Sequence, residues 1–379
     1  MAAKGHALLS ASSAGRWMHC PPSVRLGEGF ADKNSSYAVE GTEAHALCEY
    51  KLLKALKRRA VNPTRKLQFY NEEMEVCAEG YRDFVMELVE QAKVRGSAPV
   101  VLVEQRVDFS SWVKEGFGTA DALVITEGML TICDYKHGQG IMVEATNNEQ
   151  LKCYALGALY MFDALYDIDK VQLVIYQPRR ENVSVFELAA KNLYEWATEC
   201  LAPQAKLAFA GEGEFSCGVW CRFCKAKHIC RARAENNLLL AKHDFQLPPT
   251  LDDVEIELIL SMVDDLSVWA SDIKEYALRQ AIAGKEWQGW KIVEGRSNRR
   301  YMNEAAVTEV VSKAGFEPYE KKLLGITAMQ KLLGKTRFEE LLAAYIEKPP
   351  GKPTLVPSSD KRPAMHNAKT EFMEEKDHE

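Results

Sequence analysis

Asp134 and Lys136, separated by Tyr135 at the end of the apolar run Leu130 to Tyr135, are the residues of this chain best spaced for chemistry on a phosphate ester. Strand side chains alternate faces, so the two point the same way. A carboxylate beside an ammonium can hold a divalent cation and set a water against a phosphodiester. A surface ion pair is the ordinary alternative for so short a motif. Upstream, Gly118-Thr119-Ala120-Asp121 offers a second carboxylate, which could instead cap a turn. His45, in Glu40-Gly41-Thr42-Glu43-Ala44-His45, offers an imidazole, a ligand that suits Mn²⁺ better than Mg²⁺. Its bland alternative is a half-buried polar residue of an amphipathic helix. Glu104, in Val103-Glu104-Gln105, is either a water-bridged partner of the site or a simple strand-end carboxylate. Gln150 and Tyr154, one helical turn apart, form a side-chain pair, bind phosphate or fix the Lys136 strand.

A second group concerns sulfur. Cys217, Cys221, Cys224 and Cys230 fall within fourteen residues, and Cys-x2-Cys-x5-Cys is metal-ligand spacing in a reduced compartment. Zinc and a [4Fe–4S] cluster both remain open on spacing. Cys217 is the local candidate for a fourth ligand. Cys20, in Trp17-Met18-His19-Cys20-Pro21-Pro22, is the distant one. Cys48, Cys77, Cys133, Cys153 and Cys200 lie singly in apolar runs and read as core.

The elements that must position these residues follow from hydrophobic periodicity. A short helix capped by Ser12 or Ser13 ends at Pro21-Pro22, and helices are expected over Gly41 to Arg59 and Asn71 to Val94. Strands are expected over Val100 to Val107, Ala120 to Ile125 and Leu130 to Tyr135. A helix over Asn148 to Leu165 precedes a buried strand, Val171 to Tyr176, with which Val183 to Leu188 can pair. Another helix leads into the cysteines. This order predicts an α/β core with a mixed sheet flanked by helices. Beyond residue 236 the motifs stop: Leu251 to Ala283 is helical in pattern, Trp287 to Arg300 reads as a hairpin, and Asn303 to Ile346 is helical again. The expected organisation is a domain over 1–235, a mainly helical C-terminal domain over 236–346 and a disordered tail over 347–379.

Composition sets limits. With 379 residues, 47% hydrophobic, the chain can bury a large core. No run is long enough to span a bilayer and no signal pattern opens the chain, so a soluble cytoplasmic protein is expected. A net charge of -6 gives no global attraction to nucleic acid, so contacts must come from local patches. Two are visible: Lys51, Lys54, Lys57, Arg58 and Arg59 after His45, and Arg222, Lys225, Lys227, Arg231 and Arg233 around the cysteines. Such runs are commonly solvated surface. Leu333-Gly334-Lys335-Thr336 imitates the end of a phosphate-binding loop, but Met329 stands where its first Gly belongs.

Taken in order, these motifs resemble the PD-(D/E)XK nuclease superfamily, in particular its RecB/AddB-like branch with an iron–sulfur staple. Gly41-Thr42 with His45 looks like the branch's metal-binding helix, Gly118 to Asp121 its G-x-x-D strand, Asp134 to Lys136 its D-x-K strand, and Gln150 to Tyr154 its Q-x-x-x-Y helix. The whole chain is similar to a phage-encoded family known as domain of unknown function 2800. The resemblance, over about residues 8 to 235, implies a restriction-endonuclease-like core. It implies Mg²⁺ or Mn²⁺ held by His45, Asp121, Asp134 and the Tyr135 carbonyl, with Lys136, Asp134, Asp121 and Glu104 catalytic. It further implies a [4Fe–4S] cluster on Cys20, Cys221, Cys224 and Cys230, with zinc as the alternative. Gln150 and Tyr154 would contact DNA. The implied activity is a DNA nuclease, an exonuclease serving phage recombination or DNA end processing. Its partners would be DNA and a phage single-strand-binding or annealing protein, in the cytoplasm of a bacterial host. The rival from another class is a DNA-binding scaffold with a degenerate nuclease fold and a structural metal, which has no need for Asp121, Asp134 and Lys136 together.

Overall fold

The computed structural model describes residues 7–30, 36–94, 98–239, 251–294, 301–319 and 323–347. Two short helices, α1 (Ala14–His19) and α2 (Ser23–Gly27), precede the long α3 (Ser36–Ala55) and α4 (Glu72–Val94). Asn71 starts α4 as expected, its side chain accepting from the Met74 N–H. Three antiparallel strands follow, β1 (Val100–Asp108), β2 (Phe117–Thr126) and β3 (Met129–Tyr135). Helix α5 (Glu149–Tyr166), capped by Asn148, crosses over to β4 (Lys170–Gln177), which lies parallel to β3. β5 (Asn182–Ala189) closes the five-stranded sheet in the order β1-β2-β3-β4-β5. The mixed α/β sheet expected from the sequence is present.

Both faces of the sheet are covered, which is why β2 and β3 read as near-continuous apolar runs. On one face Leu130 and Ile132 pack with Leu151, Ala155, Ala158 and Leu159 of α5. On the other Cys133 and Tyr135 pack with Leu47, Cys48 and Leu52 of α3 and Met74, Cys77 and Tyr81 of α4. The alternation that aims Asp134 and Lys136 together is therefore enforced by two cores. Close approach needs small residues at two places. A Cβ on Gly157 of α5 would meet Val107 Cβ at 2.8 Å, and one on Gly118 of β2 would meet Tyr154 Cε1 at 2.6 Å.

After β5 come α6 (Ala190–Trp196) and α7 (Ala202–Ala210), joined by a π turn, then the cysteine segment, α8 (Arg231–Asn237) and α9 (Asp253–Ile282). The chain divides into two compact units, 1–293 and 294–379. The boundary expected near residue 235 falls inside the first, because Arg233 and Lys227 both bond Asp272 of α9, at 2.6 and 2.7 Å. Residues 287–294 are turn and coil rather than the start of a hairpin, and 295–300 lie outside the described residues. The second unit holds α10 (Glu304–Lys313), α11 (Ile326–Leu333) and α12 (Lys335–Leu342), with Phe338 buried. The expected tail, beyond Glu347, also lies outside the described residues. No described helix is long and apolar enough to cross a membrane.

Candidate active site and cysteine cavity

Glu104 interrupts an otherwise regular strand. Val103 pairs with Ala122 and Gln105 with Ala120, so Glu104 stands opposite Asp121, yet its φ is +48°. A non-glycine residue in that left-handed region is strained, and strain of this kind collects at functional sites. The consequence is a slip in alternation. Val100 and Leu102 before it and Val107 and Phe109 after it all face the α5-side core. The slip leaves Glu104 and Asp121 at the seam between the two faces, where His45 can reach them from α3.

The ligand atoms of His45, Glu104 and Asp121 lie within 4.8 Å of one another, the only group of its kind among the described residues. His45 Nδ1 is 3.3 Å from Asp121 Oδ1, and the Tyr135 N–H donates to Asp121 Oδ2 at 2.7 Å. The N–H of Tyr135, the residue whose carbonyl was expected as a ligand, thus orients the Asp121 carboxylate. Its ring is buried edge-on to His45. Lys136 Nζ lies 2.7 Å from Asp134 Oδ2 and donates to Gln150 Oε1 at 3.0 Å. The Gln150 amide donates to Asp134 Oδ1 at 3.2 Å and to the Tyr154 hydroxyl at 3.0 Å. Gln150 therefore fixes the Asp134–Lys136 pair. Tyr154 is buried, so its hydroxyl braces Gln150 and is not placed against a passing DNA strand. Asp134 is 2% exposed, and its Oδ2, though close to Lys136, has no aligned hydrogen-bond partner.

Charge follows from this crowding. Burial opposes the His45 cation, but the Asp121 carboxylate and then Asp134 reverse this and lift the imidazole to about 9. Burial and the Asp121 charge push Glu104 from 4.5 up to about 8. Burial also raises Asp134, with Asp121 adding to the shift against the pull of Lys136. Asp121 moves down: burial is outweighed by His45, Lys136 and the Tyr135 N–H. Burial works against the Lys136 cation, but Asp134 more than offsets it, so Lys136 stays an ammonium at neutral pH. Protonated His45 and raised carboxyls describe a site built around more negative charge than it can hold alone. A divalent cation is the natural complement of such a donor set. Glu104 is the third group within reach of His45 and Asp121, while Asp134 is bonded to Lys136 and Gln150.

A network not anticipated from the sequence lies behind Tyr135. Its hydroxyl is 2.8 Å from His137 Nδ1, and His137 Nε2 is 3.4 Å from Glu40, which also binds Arg179 at 3.1 Å. The only hint was position: His137 directly follows Lys136, and Glu40 precedes His45 on α3.

Cys20, Cys221, Cys224 and Cys230 line one small cavity together with Arg16, Lys227 and Arg233. All ten cysteines are free thiols, and Cys20 is buried. Burial raises the Cys221 and Cys224 thiols, opposed first by backbone hydrogen bonds at Gly218 and Ala226 and then by Arg233 and Arg16 respectively. Cys217 lies near but outside the lining, and burial with Cys221 and Cys230 pushes its thiol up to about 12. Of the two candidate fourth positions, the fold brings Cys20 into the cavity. Next to it, His19 stacks on Trp220 at 4.4 Å and pairs with Glu149 at 3.1 Å, one residue before Gln150. His19 thus ties Trp220 of the cysteine segment to the start of α5, which also carries Gln150. The basic residues around it are largely committed: Arg222 pairs with Asp265, and Lys227 and Arg233 with Asp272.

Fold and site define an α/β protein with a five-stranded mixed sheet and a His–Glu–Asp cluster beside a buried carboxylate–lysine pair. The chain belongs to the family described as Protein of unknown function (DUF2800), whose model matches residues 6–363. A solved structure described as "Crystal structure of SSO0001" is similar over 49% of this chain and 95% of that chain, at 14% identity and a TM-score of 0.22. At that score the likeness bears on neither fold family nor activity.

Proposed function

We propose that this protein is a divalent-metal-dependent deoxyribonuclease whose sheet and flanking helices form a PD-(D/E)XK core. The observation that carries the reading is the convergence of His45, Glu104 and Asp121 on one point beside the Asp134–Lys136 pair. Helix, three antiparallel strands, crossover helix and parallel strand are the order that places D-x-K there. A scaffold has no use for a strained Glu104 or for the buried Asp134 acceptor.

His45, Glu104 and Asp121 would hold Mg²⁺ or Mn²⁺, with Asp134 adjacent; the ion supplies charge against the phosphate and acidifies a water. Lys136, as an ammonium, offsets charge developing on the phosphate oxygens, a role that requires donors aimed before the reaction begins. Gln150 and Tyr154 keep it aimed. Asp134 holds Lys136 in its charged form. Tyr135 N–H fixes the Asp121 carboxylate orientation. We further propose that Cys20, Cys221, Cys224 and Cys230 hold a [4Fe–4S] cluster, zinc being the alternative for this thiolate set. An exonuclease role in phage recombination or DNA end processing rests on the family resemblance.

The test is incubation of anaerobically purified protein with end-labelled linear and closed-circular DNA in Mg²⁺, Mn²⁺ or EDTA. Metal-dependent cleavage is expected, lost on the order of a hundredfold or more in Asp134→Asn. Asn keeps the volume and the Gln150 bond but turns its amide nitrogen toward the Lys136 ammonium, so circular dichroism of the variant is read beside its cleavage. Lys136→Ala is the poorer probe, because it strands a buried carboxylate. Asp134→Asn cutting at the wild-type rate refutes the site.

A further inference from the structure

We propose that the basic cleft at the C-terminal end of α3 is the track along which the phosphate backbone of a nucleic-acid strand reaches the His45–Glu104–Asp121 cluster; this rests on the nuclease reading above. The cleft, of about 810 Å³, is lined by Lys54, Lys57, Arg58 and Arg59, with Tyr50 and Glu49. All four cations are exposed, and among the described residues none is engaged in an ion pair. Their neighbour Lys51 is different, bonded at 2.5 and 3.0 Å to Glu75 and Glu79 of α4. Clustered, unpartnered cations repel one another, and a polyanion relieves that repulsion while releasing its own counterions. Tyr50, half-buried against the α3–α4 core, borders the cleft.

The cleft is also connected to the chemistry. It shares α3 with His45, and Glu49, one turn beyond His45, is part of its lining. At the helical rise, Lys54 sits roughly 14 Å along the axis from His45, a short run of nucleotides, and Lys57 follows just past the helix end.

The backbone fixes where Lys57 stands at the edge of the cleft. The helix ends in a Schellman arrangement, with Arg58 N–H donating to Leu53 O at 2.9 Å and Lys57 N–H to Lys54 O at 3.0 Å. That geometry puts Lys57 at φ +58°, where glycine is the unstrained choice.

Binding is read by fluorescence anisotropy of labelled single-stranded and duplex oligonucleotides in EDTA, across a salt series. The variants are Lys57→Gly, the fourfold Lys54→Gln/Lys57→Gln/Arg58→Gln/Arg59→Gln, and Lys191→Gln as a remote surface control. The fourfold variant should bind about tenfold or more weaker, with a salt slope shallower by about 2 to 3, as expected for losing single-strand phosphate contacts. Lys57→Gly should raise Tm by about 2 °C or more while weakening binding several-fold. The control should match wild type. Unchanged binding in the fourfold variant overturns the cleft, as does wild-type protein that binds phosphatidylserine vesicles and ignores oligonucleotides. The two readings fail separately. Unchanged binding with metal-dependent cleavage intact removes only the cleft. Binding lost in the variant, with no cleavage by wild type in any metal, keeps the cleft and removes the nuclease.

Discussion

Glu104→Gln isolates what the crowded carboxyl costs the protein without metal. Its proton is held to about 8 in the fold against 4.5 when exposed, because burial and Asp121 disfavour the anion. A raised acid favours the fold below its unfolded value, and that contribution is lost as pH climbs from about 4.5 to about 8. At about 1.4 kcal/mol per unit, the penalty on wild type grows by about 3 kcal/mol between about pH 5 and about pH 8. His45 and Asp121 share in the same titration, which reduces the expected difference to about 1 to 3 kcal/mol. Gln keeps the shape and the left-handed backbone but never ionises. In EDTA, the variant should therefore gain little at about pH 5 and about 3 to 10 °C of Tm at about pH 8, relative to wild type. Thermal melts followed by circular dichroism measure this directly. Adding Mn²⁺ at about pH 8 should stabilise wild type more than the variant, since only the carboxylate rewards the cation. A Tm gap that is the same at both pH values, or equal stabilisation of both proteins by Mn²⁺, refutes the ligand assignment of Glu104.

Cys20→Ser should abolish bound iron and its absorbance near the visible–ultraviolet border and lower solubility, whereas Cys217→Ser should retain the iron; the reverse pattern, read by metal analysis of anaerobic preparations, removes Cys20 from the set. Gly118→Ala should destabilise by about 1 to 3 kcal/mol in urea titrations, because the new Cβ meets the Tyr154 ring at 2.6 Å and Ala11 at 3.3 Å. Since Tyr154 braces Gln150, the same variant should also slow cleavage, and a fully active, equally stable Gly118→Ala would contradict the packing described.

Period-two and period-3.6 patterns were legible along most of the first unit, because two cores press on one sheet and leave continuous apolar strands between turn residues. For the same reason Asp134 and Lys136 could be put on one face from spacing alone, and Asn148 and Asn71 marked helix starts through local hydrogen bonds. Three decisions belonged to the tertiary structure. Alternation implies nothing about Glu104, since a single left-handed residue shifts the phase of β1 and carries its carboxylate to His45. Nor does local spacing choose between Cys20 and Cys217: Cys217 is nearer along the chain, but the packing of α1 against the cysteine segment is what brings Cys20 into the cavity. Basic residues look alike in sequence, and only long-range contacts separate Lys51, Lys227 and Arg233, neutralised by carboxylates of α4 and α9, from Lys54, Lys57, Arg58 and Arg59. Each of these outcomes depends on groups distant in the chain meeting at one point, and that is information a local pattern does not contain.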